Sequence, residues 1–305
     1  MARIIVTGAT GLIGRALCRR LIGRGDDLIV FSRDPARARQ QVAGAAEYVA
    51  WQPELAGPWA AAVDGAAAVV HLAGASIAGR RWTPAYRREI LESRTIGTRG
   101  IVQAIAAATS RPTVLVSASG VDYYGDCGDT PIDETAGPGN AFLSQVSQEW
   151  EHEALQATSY GVRTCVIRTG IVLDRHEGAL ARLWLPFWFG VGGPILPGTQ
   201  WWSWIHLDDL LGIYLLALDD PRAQGAFNGT APEPVRNREF TATLGRVMRR
   251  PAFLPLPLFA LRIVLGSMAG PLLIEKQRAI PRRALDLGYR FAYPTLEPAL
   301  RAALG

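Results

Sequence analysis

"RIIVTGATGLIGRAL", residues 3–17, decides how the rest of the chain is read. Five strand-forming residues, Arg3–Thr7, run directly into Gly8, Gly11 and Gly14, and a helical pattern starts near residue 12, among these glycines. Glycine at these spacings lets the backbone turn tightly and come close to a pyrophosphate. The N–H groups and positive dipole end of the following helix then face the phosphates. A glycine triplet alone is a weak signal, but flanked by a strand, a helix and a second strand at the right distance it is strong. Gly8, Thr10, Gly11, Leu12, Ile13 and Gly14 are therefore expected to cradle phosphate.

The second strand ends in "IVFSRDPARAR" (29–39). A site for NAD places an acid at this strand tip to hold the ribose 2′-hydroxyl. Phe31 and Ser32 stand there instead, followed by Arg33, and a hydroxyl beside a guanidinium suits a 2′-phosphate. The expected cofactor is NADP(H), with Ser32 and Arg33 as contacts. Asp34 lies at a spacing that would suit NAD, but it is better read as the N-cap of a helix whose first residue is Pro35.

Outward from here, short apolar runs alternate with helical patterns. Strands are expected at Arg3–Thr7, Leu28–Ser32, Glu47–Trp51, Ala67–His71, Thr113–Ser117 and Val162–Arg168, with helices near 12–24, 35–43, 84–108 and 140–159. Thr83-Pro84 marks the start of the third helix. Continuous apolar strands separated by helices imply an α/β fold, a doubly wound parallel sheet covered on both faces, with its ligand site beyond the carboxyl ends of the strands. A Rossmann core over 1–174, completed by about 201–228, is expected to carry a smaller C-terminal substrate lobe built from 175–200 and 229–305.

The bulk numbers agree with one large globular unit or two lobes sharing a core. The chain has 305 residues, 49% of them hydrophobic, and a net charge of +5. The basic residues are scattered singly or in pairs, with no long run, which argues against a nucleic-acid partner. Cys18, Cys127 and Cys165 lack CxxC spacing and fit free thiols in a reducing compartment. The chain opens straight into a strand with no signal-peptide pattern, so a cytoplasmic protein is expected. "PLPLFALRIVLGSMAGPLLIE" (255–275) is the most apolar stretch. Arg262 and its prolines and glycines make it buried or lobe helix, not a membrane span.

"HLAGA" (71–75) after the fourth strand and "SASGVDYYG" (117–125) after the fifth complete a set that resembles the extended short-chain dehydrogenase/reductases, which include nucleotide-sugar epimerases. "RWTPAYRREILESRTIGTRGIV" (81–102), "FLSQVSQEWEHEA" (142–154), "RTGIVLDRHEGAL" (168–180), "GGPILPGTQWWSWIHLDDL" (192–210) and "FNGTAPEPVRNREF" (227–240) narrow it to their atypical "epimerase family" branch, some of whose members carry a cell-division-inhibitor label. The resemblance implies a Rossmann-type fold, an NADP site reached by Leu72, Ala73 and Gly74, and a sugar-epimerase-like second lobe. It implies no particular substrate.

One part of that family's machinery is missing. Its usual proton donor is a tyrosine followed four residues later by lysine, with a serine orienting the carbonyl. Ser119 fits the serine. None of the eight tyrosines has lysine at the fourth position, and the single lysine is Lys276. Leu143 to Glu149 fill the stretch where the pair should fall. On the preceding helix the family's N-x-x-G-T has become Arg94-Thr95-Ile96-Gly97-Thr98, a fixed charge in place of an amide.

Three explanations stand. Another acid serves, with Tyr124 ahead of Tyr123, Glu149, Glu151 and His206, although a packed structural tyrosine fits Tyr124 at least as well. Or a guanidinium, Arg94 or Arg168, both also expected at the cofactor, stabilises an alkoxide without exchanging protons near neutral pH. Or the chain binds NADP(H) as a sensor or scaffold and performs no chemistry. Glu149 and Glu151 read more simply as the wet face of a helix whose Trp150 packs inward. His206, Asp208 and Asp209 read as a helix start. The tryptophans of "ALARLWLPFWFG" (179–190) and "QWWSWIH" (200–206) either pack the lobe or line an apolar pocket. Arg80 and Arg81 are candidates to grip an anion. The four histidines have no metal-ligand spacing, so no metal is expected. The expected partner is a small-molecule substrate, with no membrane or nucleic acid, and a homodimer is an admissible assembly.

Overall fold

The computed structural model describes residues 2–53, 57–257, 266–268, 270 and 277–305. Seven parallel strands form the central sheet: β1 (Arg3–Thr7), β2 (Asp27–Ser32), β3 (Glu47–Ala50), β4 (Ala68–His71), β5 (Val114–Gly120), β7 (Arg163–Thr169) and β11 (Gly225–Gly229). Their order is β11-β7-β5-β4-β1-β2-β3, so the winding reverses between β1 and β4. That reversal opens a crevice at the carboxyl ends, where doubly wound sheets take their ligands.

Alternation along each strand shows why both faces need cover. Ile4 and Val6 of β1, with Leu28 and Val30 of β2, join one core that includes Leu17, Leu21, Ile213 and Tyr214. These last four belong to α1 (Leu12–Gly23) and α6 (Leu207–Asp219). Ile5, Ile29 and Phe31 point the other way, into a core with Ile101 and Ile105 of α3 (Pro84–Ala107), Ala154 of α4 (Phe142–Leu155) and Trp59. Strands buried on both faces lose the polar–apolar alternation of a half-exposed sheet, which is why they read as continuous apolar runs.

A third core gathers Leu180 and Phe187 of α5 (Gly178–Trp188), Trp202, Trp204, Phe240 and Leu244 of α7 (Asn237–Met248), and Leu296 and Leu300 near the C-terminus. Two short pairings support it. β8 (Ile171–Leu173) runs parallel to β10 (Trp204–His206), and β9 (Trp201–Trp202) runs antiparallel to β12 (Val235–Arg236). A further pair joins β6 (Pro131–Ile132) to β13 (Arg278–Ala279). The apolar stretch read as helix over 255–275 lies largely outside the described residues, as does Lys276. Among the described residues no helix is long and apolar enough to cross a membrane.

The helix starts follow their capping chemistry. α2 (Pro35–Gln41) has Asp34 as N-cap, its carboxylate accepting from the Arg37 N–H at 3.0 Å, with proline at the first position. Thr83 accepts from the Tyr86 N–H at 3.1 Å in the same way. Thr83→Ala leaves that N–H without its partner and is expected to lower stability by about 1 kcal/mol in urea unfolding. The helix expected over 140–159 ends at Leu155 and tightens into a 3-10 turn, Gln156–Tyr160.

Candidate nucleotide site and the buried network behind it

The glycine loop is built for close approach. Gly8 has φ +66°, and a Cβ there would sit 2.7 Å from the Leu72 carbonyl carbon. At Gly14 a Cβ would lie 2.3 Å from the Gly8 carbonyl oxygen. Any side chain at either position would occupy the space in which β1, α1 and the loop after β4 meet. Gly11 is the N-cap of α1 and offers no side chain to its first turn, so the N–H groups of Leu12, Ile13 and Gly14 are free of intrahelical partners by helix geometry. Thr7 locks the neighbouring loop: its hydroxyl accepts from the Leu72 and Ala73 N–H groups, each at 3.2 Å. Its own proton must then go to His71 Nδ1, 2.8 Å away. Burial pulls His71 down to about 3, so the ring is neutral.

Two cavities meet at this loop. One, of about 540 Å³, runs from Gly8, Thr10 and Gly11 past Leu72, Ala73 and Gly74 to Phe31, Trp51 and Tyr86. The other, of about 450 Å³, is polar and lies at the tip of β2, where Arg15, Arg33 and Arg37 converge with Thr10 and Ser32. Asp34 borders it too, but its carboxylate is committed to the helix cap, and Ser32 Oγ lies 3.2 Å from the Asp34 N–H. Arg15 is partnered by Glu177 and by the Thr10 carbonyl. The site therefore presents a cradle, a cleft beside it and a cationic corner, which fit the phosphates, the adenosine and a further phosphate of a dinucleotide.

Sequence reading missed Arg37 and Arg15. Arg37 lies in the first turn of the helix that Pro35 opens, so its place beside Arg33 depends on where that helix starts. Arg15 depends on long-range folding, because its position is set by Glu177.

At the carboxyl end of β5 the expected catalytic residues come together, in an arrangement that changes their roles. Ser119 donates to Glu151 Oε1 at 2.6 Å. Arg168 grips Glu151 with two N–H groups, at 2.9 and 2.8 Å, and donates a third to the Tyr124 hydroxyl at 2.9 Å. Tyr124 in turn donates to Asn228 Oδ1 at 2.8 Å. The Arg168 guanidinium lies 3.5 Å from the centre of the Tyr123 ring. All five members of this chain of contacts are buried.

Three expectations are corrected here. Glu151 is not on a wet helix face: it is 5% exposed and paired, while Glu149 alone of the two is in solvent. Arg168, expected at the cofactor, is committed to Glu151 and Tyr124. Tyr124, the leading candidate for proton donor, is 3% exposed and pushed up to about 12 by burial, which Arg168 only partly offsets. Its hydroxyl orients Arg168. Ser119 likewise directs its proton inward, toward Glu151.

Arg94 does reach the site wall. It donates to the Ala75 carbonyl at 3.0 Å, lies against Gly74, and stacks 4.9 Å from the Trp150 ring centre. Burial draws it down to about 10, partly countered by Asp122 and Tyr86, so it stays charged at neutral pH. The tryptophans divide. Trp202 and Trp204 fill the third core, with Trp204 Nε1 donating to the Glu233 carbonyl at 3.0 Å. Trp184 and Trp188 stack on each other at the surface of α5. His206 caps α6 by accepting from the Asp208 N–H, and Asp209 accepts from the Ala292 and Tyr293 N–H groups. These are structural duties.

A glycine cradle at the switch point of a seven-stranded parallel sheet, with cations at the β2 tip, defines a Rossmann-type dinucleotide fold. Residues 4–228 match the NAD dependent epimerase/dehydratase family, and 256–303 match a domain of unknown function, DUF1731. The chain belongs to that epimerase/dehydratase family. It is 42% identical to the chloroplastic Epimerase family protein SDR39U1 homolog of Arabidopsis thaliana, over 99% of this chain and 86% of the relative. It is 37% identical to the human Epimerase family protein SDR39U1, over 98% of both chains. A crystal structure of the human protein (isoform 2), described as with NADPH, superimposes with a TM-score of 0.89, covering 99% of each chain at 35% identity. A UDP-glucose 4-epimerase from Thermotoga maritima, at 18% identity and TM-score 0.81, shares the fold. One relative is described as chloroplastic, so the cytoplasmic expectation does not extend across the family.

Proposed function

We propose that the protein is an NADPH-dependent oxidoreductase or epimerase-like enzyme acting on a small carbonyl, alcohol or sugar-type substrate without the tyrosine–lysine pair. The observation that carries this reading is the cationic corner at the β2 tip, where Arg33 and Arg37 border one cavity with Ser32 while its two acids are engaged, Asp34 Oδ1 in a helix cap and Glu177 with Arg15. A 2′-phosphate fits that corner, and a bare ribose gains nothing from it. The human relative's structure with NADPH supports the same choice.

When bound, NADPH would supply a hydride. The chain's own part is to hold phosphate on the N–H groups of residues 12–14, take the adenosine in the cavity that runs past Ser32 and Ala73, and present Arg94 beside the loop Gly74–Ala75. A guanidinium there stabilises negative charge developing on a substrate oxygen. The test is absorbance at 340 nm with NADPH or NADH and a panel of aldehydes, α-ketoesters and nucleotide sugars. Loss of NADPH absorbance matched by alcohol formation is expected. Bound NADPH with no turnover on any of them would instead favour a sensor.

A further inference from the structure

The cationic corner at the β2 tip includes an acid that arrives from a distant part of the chain. Arg15, Arg33 and Arg37 converge there, and two carboxylates, Asp34 and Glu177, border the same cavity. Asp34 belongs to the helix cap beside Arg37, and its Oδ1 accepts from the Arg37 N–H. Glu177 stands instead at the start of α5, the helix that contributes Leu180 and Phe187 to the third core.

Local chemistry delivers Glu177 to this corner. Asp174 Oδ1 accepts from the His176 and Glu177 N–H groups at 2.8 and 2.9 Å, which closes a turn just after β8. Gly178 follows at φ +76°, an angle that favours glycine, and a Cβ there would lie 3.8 Å from Leu12 Cδ2. The turn therefore rests against the first residue of α1. Glu177 is the N-cap residue of α5, yet its side chain makes no cap hydrogen bond. Its carboxylate accepts from Arg15, which also donates to the Thr10 carbonyl. Arg33 and Arg37 have no ion pair among the described residues, so Arg15 alone of the three is neutralised.

We propose that Glu177 is a displaceable counter-ion in the cofactor corner. It holds Arg15 in the absence of nucleotide and gives it up to the 2′-phosphate of NADPH, so its charge tempers how tightly that phosphate binds. This rests on the NADPH reading above. The exchange costs little. The Arg15 and Glu177 side chains are 29% and 44% exposed, and ion pairs this open contribute little to stability. A phosphate offers the guanidinium more negative charge and matches its fork with two oxygens. After the exchange Glu177 still borders the cavity, and its carboxylate repels the phosphate. The uncharged 2′-hydroxyl of NADH feels no such repulsion. Glu177 therefore makes the preference for NADPH smaller than the three arginines alone would give.

The experiment titrates NADPH and NADH calorimetrically into wild type and into Glu177→Gln, which keeps size and loses the charge. Glu177→Gln should bind NADPH roughly 5-fold more tightly than wild type and bind NADH equally well. Repeating the titrations at about 1 M salt should erase that gain, because screening at this strength silences exposed charges a few ångströms apart. Unchanged or weaker NADPH binding in Glu177→Gln overturns the proposal, since Glu177 would then be indifferent to the phosphate or would hold Arg15 in place for it. An equal change for both nucleotides overturns it too, as does a gain that survives high salt, because either outcome means a structural effect on the turn. These three results leave the nucleotide site standing when wild type prefers NADPH. A wild type that binds the two nucleotides equally sinks the corner reading itself, and this proposal with it.

Discussion

Glu151→Ala is expected to destabilise the protein by about 3–5 kcal/mol, because it leaves the Arg168 guanidinium buried without a counter-charge. Arg168 is 4% exposed, and two of its N–H groups go to Glu151. The loss spreads along the network. Ser119 loses its acceptor, and the Tyr124 hydroxyl is left against an unpaired cation. A second variant separates pairing from packing. Glu151→Leu combined with Arg168→Met removes both charges and keeps volume, and buried pairs replaced in this way are often neutral or stabilising. Urea unfolding of both variants should show the double change recovering most of the deficit of Glu151→Ala. Additive losses would mean that the pair acts through something other than mutual neutralisation.

Gly14→Ala is expected to weaken NADPH binding by about 100-fold or more, near 2.7 kcal/mol. The added Cβ meets the Gly8 carbonyl oxygen at 2.3 Å and the Ala9 Cα at 2.7 Å. These are backbone atoms that cannot rotate away, so the first turn of α1 must shift off the loop. That shift moves the N–H groups of residues 12–14, on which the phosphates depend. A melting curve beside the titration distinguishes local displacement from global unfolding. Intact folding with unchanged NADPH affinity would show that the cradle is not the phosphate site.

The fold was legible because the strongest signals are local. The run Arg3–Thr7, the glycine spacing and the caps at Asp34 and Thr83 each depend on a few neighbouring residues, and each has the expected geometry. The tight geometry of the glycine loop was legible for the same reason. The network around Glu151 was not, because Ser119, Glu151, Arg168 and Asn228 come from β5, α4, β7 and β11, brought together only by sheet order. A glutamate beside a tryptophan on a helix reads as surface until a buried arginine arrives from another strand.

The most direct test of the nucleotide assignment is calorimetric titration of NADPH and NADH into wild type and into the double variant Arg33→Ala/Arg37→Ala. Wild type is expected to prefer NADPH by roughly 30-fold or more, about 2 kcal/mol, as charge-assisted contacts to a phosphate supply. The double variant should lose most of that preference and keep its NADH affinity. Equal affinities in wild type, or a preference for NADPH untouched by removing both arginines, would contradict the account.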